Sequence, residues 1–222
     1  MRCALLCGLL LLAACRSEET TVTTTPVVPD GEVVPSEAVI DDGVSMLVAN
    51  IEPIGDGDVR GTVTFTRVEG GVEVRYDLTG VPPGERGFHV HEGTSCGPGE
   101  DGTPGGAAGG HFNPTGAPHG PREAAAGERH KGDFGNITAD AQGVARGAFV
   151  DPLIELGGER GIVGRAVLVH GGTDDLASQP AGSAGARYGC GIAVRSGGVP
   201  ATGSPTPGAP SDGMSAPATA PR

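Results

Sequence analysis

All six histidines of the 222-residue chain lie between residues 89 and 170: His89, His91, His111, His119, His130 and His170. In Gly87-Phe88-His89-Val90-His91 two imidazoles stand two positions apart. On an extended strand that spacing puts both on one face and turns Phe88 and Val90 to the other, toward a core. Two imidazoles side by side can hold one metal ion, or can simply be solvated. His111, His119 and His130, with Asp133, add three imidazoles and a carboxylate within a Gly-rich stretch that has no core of its own. Three nitrogen ligands and one oxygen ligand fill the tetrahedral shell of a structural zinc. Metal binding would supply the free energy to order such a stretch. His170 ends a Val-Leu-Val run and could join His89 and His91 from a neighbouring strand. An all-imidazole set of that kind suits copper, which tops the divalent affinity order. Six unrelated histidines would have no reason to avoid both ends of the chain.

Ligands drawn from so wide a span need a rigid frame, and the patterning of residues 44–196 is β. Val72, Val74, Tyr76 and Leu78 alternate with Glu73, Arg75 and Asp77, the period of a half-buried strand over 71–79. Further strands are expected at 45–52, 58–68, 86–92, 134–140, 143–150, 163–170 and 188–195, punctuated by Gly, Pro, Asp and Asn. No segment carries a sustained helical stripe. Eight short strands point to an all-β antiparallel sandwich or barrel. Two long Gly/Pro-rich insertions, 93–133 and 171–186, are where function is expected, because loops of this length are usually functional or disordered. Aromatics make up 3% of the chain and Trp is absent, so Val, Ile, Leu and Ala must supply most of the core.

The two ends read differently. MRCALLCGLLLLAAC has a basic start, an apolar run and small residues, an export signal too short to span a bilayer as a helix. Leu12-Ala13-Ala14-Cys15 resembles the lipobox of bacterial lipoproteins, which implies removal of residues 1–14 and lipidation of Cys15. More than one acyl chain on that residue would anchor the chain stably to a membrane. Residues 15–43 form a Thr-, Pro- and acid-rich tether; 16–43 carry seven acids and one Arg, half of the net charge of −12. Residues 197–222 are a Pro/Ala/Gly/Ser tail that cannot bury a core. With Cys3 and Cys7 lost with the signal, Cys96 and Cys190 remain, in no C-x-x-C pair. Outside the cytoplasm two such cysteines most often form a disulfide, worth roughly 4–5 kcal/mol for a long loop. The acidic balance and a single lysine, Lys131, exclude a nucleic-acid-binding face. Gly97–Gly102 fits G-x-G-x-x-G but no helix follows it, so no nucleotide site is expected. Asn136-Ile137-Thr138 is a glycosylation sequon in form only.

Taken in order, GFHVHEGTSC, GGHFNPTGAPHGP, ERHKGDFGNI, GIVGRAVLVHGGTDDL and GARYGCGIAV make residues 44–196 resemble the copper,zinc superoxide dismutase family. The resemblance implies a Greek-key, immunoglobulin-like barrel or sandwich. It implies one copper on His89, His91, His111 and His170, and one zinc on His111, His119, His130 and Asp133, with His111 shared. It further implies that Asp174 links a copper ligand to a zinc ligand, that Cys96 and Cys190 pair, and that Arg187 stands beside the copper. The implied activity is dismutation of two superoxide anions and two protons to oxygen and hydrogen peroxide through Cu(II)/Cu(I) cycling. His111 would carry a proton and Arg187 would guide the anion. A non-enzymatic copper or zinc buffer or carrier on the same scaffold is the alternative; it would need the ligands but not Arg187. The chain departs from the family pattern in three ways. Cys96 follows His91 closely, as in bacterial exported forms; the stretch between His119 and His130 is about two residues longer than usual; and 171–186 contains no Lys or Arg. Expected partners are superoxide and, through Cys15, the membrane of a bacterial envelope, at its periplasmic face or the cell surface. The assembly is a homodimer or a monomer.

Overall fold

The computed structural model describes residues 43–196. The expected export signal (1–14), Cys15, the expected tether up to residue 42 and the expected tail (197–222) lie outside them. Nine strands are described: β1 Met46–Pro53, β2 Arg60–Val68, β3 Gly71–Thr79, β4 Gly84–Val90, β5 Asp133–Ala139, β6 Ala145–Asp151, β7 Ala166–His170, β8 Arg187–Ile192 and β9 Val194–Arg195. All eight expected strands are present, with ends shifted by up to three residues. The expected strand 188–195 is divided into β8 and β9. Ala193 bonds Arg165 through its N–H and Gly164 through its carbonyl, so its backbone leaves the ladder for the loop ahead of β7.

The strands run β5-β4-β7-β8-β1-β2-β3-β6 around a nearly closed antiparallel barrel, with β9 added beside β1. β1, β2 and β3 form a meander, and the chain then crosses to β4, to β6 and to β7, the Greek-key pattern. β1 serves both halves: Met46–Ile51 pairs with β2, and Glu52 and Pro53 pair with β8. Val72, Val74 and Leu78 of β3 face inward as the alternation predicts. The core is mainly aliphatic, but Phe65, Phe88 and Phe134 stand fully buried at its centre, with ring centroids 5.5–6.3 Å apart.

β7 is buried along its whole length, because both of its faces are covered. Val167 and Val169 join the barrel core, whereas Ala166 and Leu168 pack outward with Ala108 and Cys190. The covering layer is the loop from His91 to Gly132, tied to β8 by the Cys96–Cys190 disulfide, with Cα atoms 5.8 Å apart. The second loop, 171–186, closes over the same outer face. It approaches at Gly87, where an added Cβ would meet the Ala184 Cβ at 2.7 Å. A glycine is required there for the loop to seat. The barrel therefore presents the outer face of β4 and β7, roofed by two loops, as the place where the histidines gather.

Candidate metal centre

Three cross-strand pairings assemble the site. His89 on β4 stands opposite Asp133 on β5, His170 on β7 opposite Arg187 on β8, and His91 bridges to His111 just beyond β4. A register shift accompanies each of the first two pairings, between Gly87 and His89 and between Val169 and His170. Such irregularities re-aim side chains and are common beside active sites. Phe88 and Val90 fill the core, as the alternation requires, so His89 and His91 point outward under the loops. All six histidines, Asp133 and Asp174 are buried.

Each ring is oriented by the nitrogen that faces away from its neighbours. His89 donates from Nε2 to Asp174 Oδ2 at 2.7 Å, His91 from Nδ1 to Gly109 O at 3.0 Å, and His170 from Nδ1 to Gly185 O at 3.2 Å. These bonds fix the tautomers and leave His89 Nδ1, His91 Nε2 and His170 Nε2 turned inward. There His89 Nδ1 and His111 Nε2 are buried with no hydrogen-bond partner. His91 Nε2 and His170 Nε2 lie 3.4 Å apart, two lone pairs facing one another. That separation matches two nitrogens each about 2.0 Å from a common ion. On the other side Asp133 Oδ1 lies 2.7 Å from His111 Nδ1, 3.1 Å from His119 Nδ1 and 3.0 Å from His130 Nδ1. One carboxylate oxygen thus faces three imidazole nitrogens, and His119 Nδ1 remains without a properly aligned partner.

The ligand atoms of His89, His91, His111 and His170 all lie within 4.8 Å of one another, as do those of His111, His119, His130 and Asp133. His111 belongs to both groups and offers one nitrogen to each. Unpartnered buried nitrogens are costly unless something fills the space between them. An ion in each group accounts for every such imidazole nitrogen, with four imidazoles on one side and three imidazoles and a carboxylate on the other. The donor sets fit copper and zinc respectively.

Electrostatics divide along the same line. Burial holds His89 at a pKa of about 4 and His170 at about 3, and pushes His91 well below the ordinary imidazole range. Neutral rings are what a metal needs, so this side presents lone pairs without first losing protons. Burial also opposes charge on His119, but hydrogen bonds and charge from Asp133 and Asp174 outweigh it and raise its pKa to about 9. Burial alone would raise the two carboxyls. Their histidine partners win, holding Asp133 and Asp174 well below the usual carboxylate range.

Asp174 joins the two sides: its Oδ2 accepts from His89 and its Oδ1 from His119 Nε2 at 3.0 Å. Arg187 is half-buried and its guanidinium donates to Gly105 O and, at 2.7 Å, to Gly109 O. Gly109 O also accepts from His91, so one carbonyl fixes both the cation and a neighbouring ring. No carboxylate neutralises Arg187 among the described residues, and it lines a cleft with Glu100, Asp101 and Thr103.

The sequence reading did not single out three further residues. Arg129, 1% exposed, donates to the carbonyls of His130 and Asp133 and pairs with buried Asp151 at 2.6 Å. It pins the main chain of two ligand residues to β6. Gln179 holds His119 through both of its main-chain groups. Asn136, read only as part of a sequon, bonds Asp174 in the same way: its Nδ2 donates to Asp174 O and its Oδ1 accepts from Asp174 N–H. Position beside His130 was the one signal available for Arg129. Nothing in the sequence marks Gln179, because its contact spans 60 residues.

A Greek-key barrel carrying two adjoining ligand sets that share one imidazole defines a β-barrel metalloprotein built for two ions. Residues 59–193 match the copper/zinc superoxide dismutase family model. The Cu-Zn superoxide dismutase of Yarrowia lipolytica is 46% identical over 148 residues, 62% of this chain and 91% of that protein. That of Neurospora crassa is 43% identical over 147 residues, with the same coverage. Among solved structures, the crystal structure of the clock protein EA4 superposes with a TM-score of 0.59 at 38% identity, covering 68% of this chain and 95% of that one. The chain belongs to the copper/zinc superoxide dismutase family.

Proposed function

We propose that this protein is a superoxide dismutase holding copper on His89, His91, His111 and His170 and zinc on His111, His119, His130 and Asp133. The observation that carries the reading is the set of inward-facing, unpartnered nitrogens, His89 Nδ1, His111 Nε2 and His119 Nδ1, in two groups that meet at His111. Copper supplies a one-electron couple when bound, so that two superoxide anions and two protons become oxygen and hydrogen peroxide. The residues do the rest. Arg187 offers an uncompensated charge to the incoming anion and is fixed by Gly105 O and Gly109 O, so little reorganisation is needed on binding. His111 Nε2, buried and lacking a hydrogen-bond partner, would serve either copper or a proton destined for the reduced anion, one at a time. Its ring is kept in place from the Nδ1 side, 2.7 Å from Asp133. Asp174 fixes His89 and His119 together, so the two ligand sets cannot reorient independently. A carrier would need none of the Arg187 arrangement. The test is a product balance on the metal-loaded protein: one peroxide per two superoxide anions consumed, lost when copper is chelated. Peroxide no faster than in buffer would refute the reading.

We further propose that the chain is exported and held at a bacterial envelope through lipidated Cys15, as a monomer or homodimer. The lipobox-like Leu12–Cys15 segment supports the anchor, and the Cys96–Cys190 disulfide suits an oxidising compartment. Labelled acyl chains incorporated by the parent and not by Cys15→Ser would bear this out. Equal labelling of both would overturn it.

A further inference from the structure

His119 lies in a stretch without regular secondary structure, so the barrel ladder does not set its position. A ligand imidazole needs two constraints: its ring must point correctly, and its main chain must stay at the right distance. The first comes from Asp174, which accepts from His119 Nε2. The second comes from Gln179. Its side-chain Oε1 accepts from the His119 N–H at 2.8 Å, and its Nε2 donates to the His119 carbonyl at 2.9 Å. A second Nε2 hydrogen goes to Ala177 O at 3.2 Å, so every donor position of the amide is used and its orientation is fixed. A primary amide thus pairs with the N–H and C=O of one residue as a strand neighbour would.

Both constraints come from the loop 171–186, which is itself closed into a compact turn. Asp175 Oδ1 accepts from Ala177 N and Ser178 N at 3.0 and 2.7 Å, and Gly182 N donates to Ser178 O at 2.7 Å. Gly182, at φ +66°, packs directly on the Asp174–His119 contact; a Cβ there would fall 1.8 Å from Asp174 Oδ1 and 2.5 Å from His119 Nε2. Asn136 on β5 anchors the base of this turn through the main chain of Asp174.

We propose that Gln179 is a positioning residue for the zinc ligand His119, clamping the ligand's main chain to the loop 171–186 so that the imidazole stays at ligand distance. The inference rests on the two-metal reading above. The same loop ends at Gly185 and Ala186 in the cleft wall beside Arg187.

The test uses the full metal-loaded chain and the variants Gln179→Ala and Gln179→Glu. Gln179 is exposed, so neither substitution removes core volume. Alanine lacks both bonds; glutamate keeps the acceptor for His119 N–H but sets a carboxylate oxygen against the carbonyls of His119 and Ala177. Zinc affinity, measured by chelator competition, should fall about 10- to 100-fold in Gln179→Ala. Copper affinity should stay within about twofold, and cobalt(II) placed in the zinc site should show a shifted d–d spectrum. Gln179→Glu should resemble alanine, which would not follow if Gln179 merely kept a polar group in contact with water. Zinc affinity within twofold of the parent in both variants would overturn the clamp. A parent chain that retains no zinc would instead overturn the two-metal reading, and the clamp with it.

Discussion

Asp133→Asn swaps one carboxylate oxygen for an amide nitrogen of nearly the same shape, and the surroundings dictate which one. Asp133 Oδ2 accepts from His130 N–H at 2.9 Å and Gly120 N–H at 3.1 Å, two main-chain donors that cannot turn away. The carbonyl oxygen of asparagine must take that position. Its NH2 group then replaces Oδ1, within 2.7–3.1 Å of the Nδ1 atoms of His111, His119 and His130. A hydrogen-bond donor without charge now stands where a ligand is needed. Structural zinc binding is worth about 10–16 kcal/mol over four ligands, so one ligand carries about 2.5–4 kcal/mol, or roughly 10²–10³ in affinity. A donor left unsatisfied where it faces the ion adds about 1–3 kcal/mol, another decade or two. Zinc affinity should therefore fall by about 10³ or more, with copper still held by His89, His91, His111 and His170. Chelator competition read by metal analysis, with cobalt(II) as a spectroscopic probe of the zinc site, measures both. A loss in zinc affinity smaller than tenfold would refute the reasoning, as would a flipped amide with its nitrogen toward Gly120.

Arg187→Ala should lower the rate of superoxide removal at least several-fold while copper and zinc content stay unchanged; an unaltered rate would remove Arg187 from anion guidance. Glu100 and Asp101 share the cleft with Arg187, so Glu100→Gln with Asp101→Asn should raise the rate at low ionic strength. The gain should fade as salt is added, and a gain independent of salt would contradict an electrostatic cause. The metal-free protein should be most stable near neutral pH, as read from urea unfolding across pH. His89 and His170 have folded pKa values of about 4 and 3, below the unfolded value of about 6.5. Their contribution is thus complete above pH 6.5 and shrinks as pH falls through that window, by about 3 kcal/mol for His89. His119 is raised to about 9, so its contribution is present below pH 6.5 and is lost as pH rises toward 9. A stability profile flat between pH 4 and 9 would refute these assignments.

The strands and ligands were legible because both follow local rules: alternation marked β3, and the H-x-H of His89 and His91 marked one strand face. Pairing of Cys96 with Cys190 was expected once Cys3, Cys7 and Cys15 were read as part of an export signal and lipid anchor, and the disulfide joins those two residues. Three features were not legible. Ala193 interrupts the last strand because of hydrogen bonds to Gly164 and Arg165, partners that periodicity does not show. Arg129 and Asp151 form a buried ion pair 22 positions apart, yet each alone looks like an ordinary surface charge. Asn136 and Gln179 use side-chain amides to bind distant peptide groups, an interaction with no preferred spacing in sequence. What the sequence conveyed was which atoms could bind metal; what it concealed was how those atoms are held still.

The most direct test of the account is the decay of superoxide after pulse radiolysis, in the presence of the full chain loaded with copper and zinc. Superoxide dismutases are among the enzymes known to reach the diffusional ceiling of about 10⁸–10⁹ M⁻¹s⁻¹. The arrangement of His111, Arg187 and the two ligand sets predicts a second-order constant in that range, abolished when copper is removed. Full metal occupancy with decay no faster than in buffer would contradict it and leave a metal carrier on a dismutase scaffold.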